Sequence, residues 1–269
     1  MTTLVLLRGL MRDSRHWYGF DQYLAQQAVD VITVDLPGNG TLVNQPSPTD
    51  LQEYCDPVWQ QIDNALITRG KLPKQTKVVL VGVSMGGMLA LTLAAQKPAR
   101  VRRVVLINSS AANLSPWYYR FQLWGLVMSL CVVSIRAIKT YWSKRELPNK
   151  NQWFEAIVLT LTSQHFSKRA EVVEAWGMLR SQCRTSLANG LRQLYACARF
   201  HCPVLLPVPV SVIVANQDKL AHPKCSEKLA VFYQTQLHKI DDCGHDASLD
   251  KPQQLQQLLT TILNVSLER

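Results

Sequence analysis

The stretch VVLVGVSMGGMLALTLAAQKP, residues 78–98, constrains the fold of this chain more than any other. Strand formers run to Gly82, the chain passes through Ser84, Gly86 and Gly87, and it resumes in Met, Leu and Ala, which favour helix. A strand that turns straight into a helix is half of a βα unit, and βα units build parallel sheets. Serine is a favoured helix N-cap and glycine is common at turns, so Ser84 has an ordinary reading as a helix start. An N-cap, however, requires neither Gly82 nor Gly86. In the spacing G-x-S-x-G both glycines sit where a tight strand-to-helix turn leaves no room for a side chain, and the turn lifts the serine hydroxyl to the edge of the sheet.

The flanking sequence extends this pattern. Short runs rich in Val, Ile and Leu predict strands at 3–7, 30–35, 77–83, 103–108, 210–216 and 236–241, alternating with predicted helices at 17–28, 49–69, 85–96, 222–233 and 251–264. A mostly parallel sheet of about six strands with helices on both faces is expected, formed by residues 1–110 and 205–269. Residues 111–204 interrupt it with several helices rich in Trp, Tyr, Leu and Arg and no clear strand, which predicts an inserted helical lid above the carboxyl ends of the strands. At 269 residues and 47% apolar composition, one catalytic domain with a large insertion is expected.

Several classes are disfavoured. The opening MTTLVLLRGL has no basic segment ahead of its apolar residues, so it predicts a strand and not a signal peptide. The uncharged apolar run at residues 121–135 falls short of the roughly 20 residues a spanning helix needs, so no integral membrane segment is expected. Seven cysteines without a CxxC pair suggest a reducing, cytoplasmic compartment and no metal site. Despite a net charge of +10, no recognition helix or RNA-binding signature is found, and nucleic acid is not expected as a partner.

Five segments together carry a resemblance: LLRGLMRDSRHW (6–17), VITVDLPGNG (31–40), GVSMG (82–86), VIVANQDKL (212–220) and DDCGHDASLDKP (241–252). In this order they resemble the α/β-hydrolase superfamily, in particular compact bacterial serine esterases with a helical lid, among them the biotin-pathway esterases that cleave pimeloyl-carrier-protein methyl ester. The resemblance implies a nucleophilic Ser84 at the elbow, followed in chain order by an acid and a histidine. Of the histidines after Ser84 (165, 201, 222, 238, 245), His245 holds the matching place, in a loop between the last strand and the final helix. Asp218, just past the strand after the insertion, is the implied acid. Asp241, Asp242 and Asp246 compete with it, but Asp241 and Asp242 lie on the strand leading to His245, and a neighbouring residue seldom bends back to the ring. The amides of Met85 and Leu10 are the implied oxyanion donors. Relatives usually carry His-Gly ahead of the second donor, where this chain has Arg8-Gly9. Asp35, Pro37, Gly38 and Gly40 match a turn motif that supports the loop. The first two strands of the superfamily have no counterpart, hence the expected trimmed sheet.

Such a triad needs no metal or organic cofactor, and a serine at the elbow argues against haloalkane dehalogenases and epoxide hydrolases, whose relatives use Asp there. The implied activity is hydrolysis of carboxylic esters through an acyl-enzyme. Thioesterases, C–C bond hydrolases, a lyase of menaquinone synthesis and a non-catalytic binding module share the framework. Between 111 and 200 twelve Lys and Arg stand against four Glu, so eight of the ten net positive charges lie on the insertion. A basic rim would attract an anionic acyl substrate or an acidic acyl carrier protein. Trp17, Trp117 and Trp124 are candidate substrate contacts, with core packing the commoner role for such residues.

Overall fold

A computed structural model describes residues 2–27, 29–144, 149–165 and 170–264. Its strands are β1 (Thr3–Leu7), β2 (Asp30–Thr33), β3 (Val78–Val83), β4 (Val101–Ile107), β5 (Val210–Ala215) and β6 (Leu237–Ile240). They form one sheet in the order β2-β1-β3-β4-β5-β6, with every pairing parallel. All residues of β1, β3 and β5 are buried, which explains their unbroken apolar runs: a parallel strand covered on both faces has no solvent side to mark with polar residues.

Side chains alternate between two cores. Leu4 and Leu6 point to one face, where they meet α1 (Phe20–Gln26) and α11 (Pro252–Asn264) through Phe20, Leu24, Leu255 and Leu259. Val5 and Leu7 point to the other, against α2 (Cys55–Thr68), α3 (Met85–Gln96) and α9 (Lys224–Phe232). The helix expected from residue 17 begins only at Phe20. A 3-10 turn at Ser14–Trp17 precedes it, and the left-handed backbone of Tyr18 (φ 51°) and Gly19 (φ 86°) breaks the path between them.

Among the described residues, the segment between β4 and β5 holds α4 (Trp117–Arg120), α5 (Leu123–Lys144), α6 (Lys150–Thr162), α7 (Ala170–Gln182) and α8 (Leu187–Arg199). Helix α5 departs from expectation. Its 22 residues run through Arg136 and Lys139, because isolated charges on a helix surface do not end it. Trp117–Lys139 is, by length and composition alone, long and apolar enough to cross a membrane, which the 15-residue uncharged run had not suggested.

Candidate active site

The strand order reverses direction between β1 and β3, so the crevice at their carboxyl ends is where an open parallel sheet accepts a ligand. Ser84 follows β3 there. Its backbone sits at φ 57°, ψ −120°, a conformation that a residue with a side chain adopts at a cost of order 1–3 kcal/mol. The surrounding packing enforces it. A Cβ on Gly82 would lie 2.2 Å from the Gly86 carbonyl oxygen, and one on Gly86 would lie 2.2 Å from that of Leu7. The two glycines therefore let strand, helix and the neighbouring strand approach closer than any side chain permits. Ser84 N–H donates to Ile107 O (2.9 Å) and Ser109 Oγ–H to Ser84 O (2.9 Å), fixing the turn from β4.

The loop after β1 lies directly against this serine. A Cβ on Gly9 would stand 3.2 Å from that of Ser84. Arg12 N–H donates to Gly9 O at 3.2 Å, closing a tight turn with Leu10 and Met11 at its centre and Met11 at φ 56°. Met85, as the first residue of α3, has an amide without a helical acceptor. Leu10 follows Gly9 in this turn, and Met85 follows Ser84 at the start of α3.

Asp218 and His245, 27 residues apart, come together at the ends of β5 and β6. His245 Nδ1 lies 2.6 Å from Asp218 Oδ2, with both residues buried, and Asp218 Oδ1 accepts from the amides of Leu220 (2.8 Å) and Ala221 (3.0 Å). The carboxylate is thereby fixed in orientation, and through it the imidazole. The competing acids are engaged otherwise. Asp246 pairs with Arg8, Asp242 with Lys251 (2.9 Å), and Asp241 accepts from Asn216 Nδ2.

Arg8, where the family resemblance leads one to expect histidine, is engaged by the His245 loop. Its Nη2 lies 2.6 Å and its Nη1 3.2 Å from the Asp246 carboxylate, Nη1 also reaches Ser248 Oγ (3.2 Å), and the guanidinium sits 4.8 Å over the Trp17 ring. Burial alone would raise the pKa of Asp246, but the guanidinium overrides it and holds the carboxyl down at about 2. This buried pair joins the β1 loop to the residue after His245. Trp17 beneath it is 1% exposed in the core beside Phe20, so it supports Arg8 and offers no face to a substrate. Trp117 and Trp124, by contrast, are exposed on α4 and α5.

Further ties hold the insertion onto the site. Arg12 Nη1 donates to Glu155 Oε2 of α6 (2.7 Å) and Met11 N–H to Gln193 Oε1 of α8 (2.8 Å). Asp250 accepts from Gly244 N–H (2.8 Å), Ser163 Oγ–H (2.5 Å) and Gln164 N–H (2.9 Å), binding the end of α6 to the His245 loop. Asp35 accepts from Ser14 N–H (2.8 Å) and Thr41 N–H (2.8 Å), so the DLPGNG turn supports the β1 loop from below. The sequence reading missed Asn108. Its Nδ2 donates to His245 O (2.8 Å) and its Oδ1 accepts from Ala215 N–H (2.8 Å), and its backbone is left-handed at φ 50°. The signal was a lone asparagine ending an apolar strand, a residue type that tolerates that backbone. No group of three or more His, Cys, Asp or Glu gathers as a metal site among the described residues.

Known proteins agree with this architecture. Residues 4–257 match the model of the Alpha/beta hydrolase family. The chain is 23% identical over 265 residues to the sn-1-specific diacylglycerol lipase ABHD11 of Mus musculus, covering 98% of this chain and 81% of the relative. It is 36% identical over 112 residues to the pimeloyl-[acyl-carrier protein] methyl ester esterase of Legionella pneumophila, 42% of this chain and 40% of the relative. In structure it resembles the meta-cleavage product hydrolase of Pseudomonas fluorescens, with a TM-score of 0.71 at 18% identity over 99% of this chain and 92% of the other. With one family model spanning nearly its whole length, the chain belongs to the alpha/beta hydrolase family.

Proposed function

We propose that this protein is a carboxylic ester hydrolase acting through an acyl-enzyme on Ser84. The observation that carries the reading is the buried His245–Asp218 contact at 2.6 Å, delivered by two separate strand ends to the sheet edge that bears the strained Ser84. His245 takes the hydroxyl proton as Ser84 attacks the acyl carbonyl, then returns it to the leaving alcohol. Asp218 holds the ring in the tautomer that leaves Nε2 free to accept, and the amides of Leu10 and Met85 receive the oxyanion. A water activated by His245 then cleaves the acyl-enzyme and frees Ser84. The seven cysteines, all unpaired, fit a reducing compartment such as the cytoplasm.

A carrier-bound acyl ester is a finer reading, supported by the similarity to the pimeloyl esterase and by the eight net positive charges of the insertion. Hydrolysis of p-nitrophenyl esters from acetyl to palmitoyl tests the main reading. Turnover by the wild type and a fall in kcat on the order of 10⁶ in Ser84→Ala support it, while turnover unaffected by Ser84→Ala refutes it.

A further inference from the structure

Helix α5 is amphipathic the wrong way round for a soluble protein. Its inward stripe consists of small residues at helical spacing: Ser129 and Val133 are buried, and a Cβ on Gly125 would come within 2.3 Å of the Lys219 carbonyl oxygen. Its large apolar residues point outward, with Trp124 74% exposed and Leu123, Leu126, Val127, Leu130 and Ile138 exposed as well. A surface helix of a soluble protein shows the reverse pattern, and a contiguous apolar patch of this kind marks a contact site.

From this face we infer that α5 docks the protein onto an anionic lipid surface, lying flat in the headgroup region. Three observations select that occupant. Aromatic residues stand at both ends of the helical stretch, Trp117 and Tyr118 at one and Tyr141 and Trp142 at the other, and such side chains favour the membrane–water boundary. No Asp or Glu occurs from 111 to 145, and the helix carries the exposed cations Arg136 and Lys139, whose charge complements anionic headgroups. A two-fold contact between copies would bring this basic segment against itself, and an acidic carrier protein would leave the apolar face unmatched. The helix lies on the surface because it is fastened along one side. It packs on α6, and Gln122 donates through its backbone to Leu220 O (2.9 Å) and through its side chain to Asp218 O (3.0 Å).

The start of the docked helix therefore sits beside the loop that carries Asp218. Resting on the hydrolase reading, the substrate class becomes acyl esters drawn from a bilayer; the docking itself needs no chemistry.

Sedimentation of the full chain with vesicles of phosphatidylcholine alone, or mixed with phosphatidylglycerol, tests this. The wild type is expected to pellet with the mixed vesicles, and L126Q/L130Q to bind about tenfold more weakly, with hydrolysis of soluble p-nitrophenyl acetate unchanged. R136Q/K139Q, which keeps the apolar face intact, is expected to lose the preference for phosphatidylglycerol. Ser84→Ala is expected to pellet like the wild type, so a missing hydrolase activity and a missing docking are read separately. Wild type that stays in the supernatant with both vesicles overturns the inference. So does binding equal in wild type and L126Q/L130Q, or a role of the same leucines only in self-association or in capture of an acyl carrier protein.

Discussion

At Ser84 a left-handed backbone is tolerated because Gly82, Gly86 and Gly9 let three chain segments close around it. The chemistry proposed for that residue would depend on the orientation of its neighbours more than on their charge. Asp218→Asn keeps the shape of the side chain but favours the wrong imidazole tautomer, so kcat for a short ester should fall about 10⁴-fold with little change in KM. Steady-state kinetics of the purified variant checks this.

Arg8 makes a different kind of prediction. The Asp246 carboxyl is held at about 2, below the roughly 3.9 of an unfolded chain, so the pair contributes stability that is fully present above about pH 4 and is lost as pH falls toward 2. Arg8→Met leaves Asp246 buried without its cation. It should cost about 3–5 kcal/mol at pH 7 in urea unfolding, a deficit that shrinks as pH falls and the buried carboxyl takes up a proton. Arg8 was read in the sequence only as a departure from the His-Gly pattern. Nothing local announces its partner, which lies 238 residues away.

At the scale of elements, the site is a set of loops from five strands laced to one another. Asn108 at the end of β4 holds both the His245 loop and β5. Asn108→Ala should leave a buried carbonyl and a buried amide unpaired and place a Cβ without a polar group in a left-handed backbone. A loss of about 2–4 kcal/mol is expected by thermal unfolding, together with a drop in kcat, because His245 loses an anchor. The strands themselves were legible, since each fully buried parallel strand is a mostly apolar run of five or six residues such as Val78–Val83. The first helix start was not, because Tyr18 and Gly19 break it through backbone angles that hydrophobic periodicity does not record. The orientation of α5 was hidden for a related reason. Its outward Leu and Trp residues look like core to a pattern that assumes large apolar side chains turn inward.

Across the whole molecule, fold and candidate site were readable to different depths. Six strands, their alternation with helices and the Ser84, Asp218, His245 order follow from local motifs, each confined to one strand and its loop. The contacts that fasten the insertion to the sheet, Arg12 with Glu155 and Asp250 with Ser163, join distant segments with no motif of their own. Such pairs arise only once the topology has brought β1, α6 and the His245 loop to one edge.

The central claim is that Ser84 becomes covalently acylated with help from His245. Its most direct test is mass spectrometry of the protein after exposure to a fluorophosphonate, which traps an activated serine as a stable phosphonyl ester. One adduct is expected, mapped to the peptide containing Ser84, absent in Ser84→Ala and strongly slowed in His245→Ala. An adduct elsewhere, or an unlabelled Ser84 in a preparation that hydrolyses esters, would contradict it.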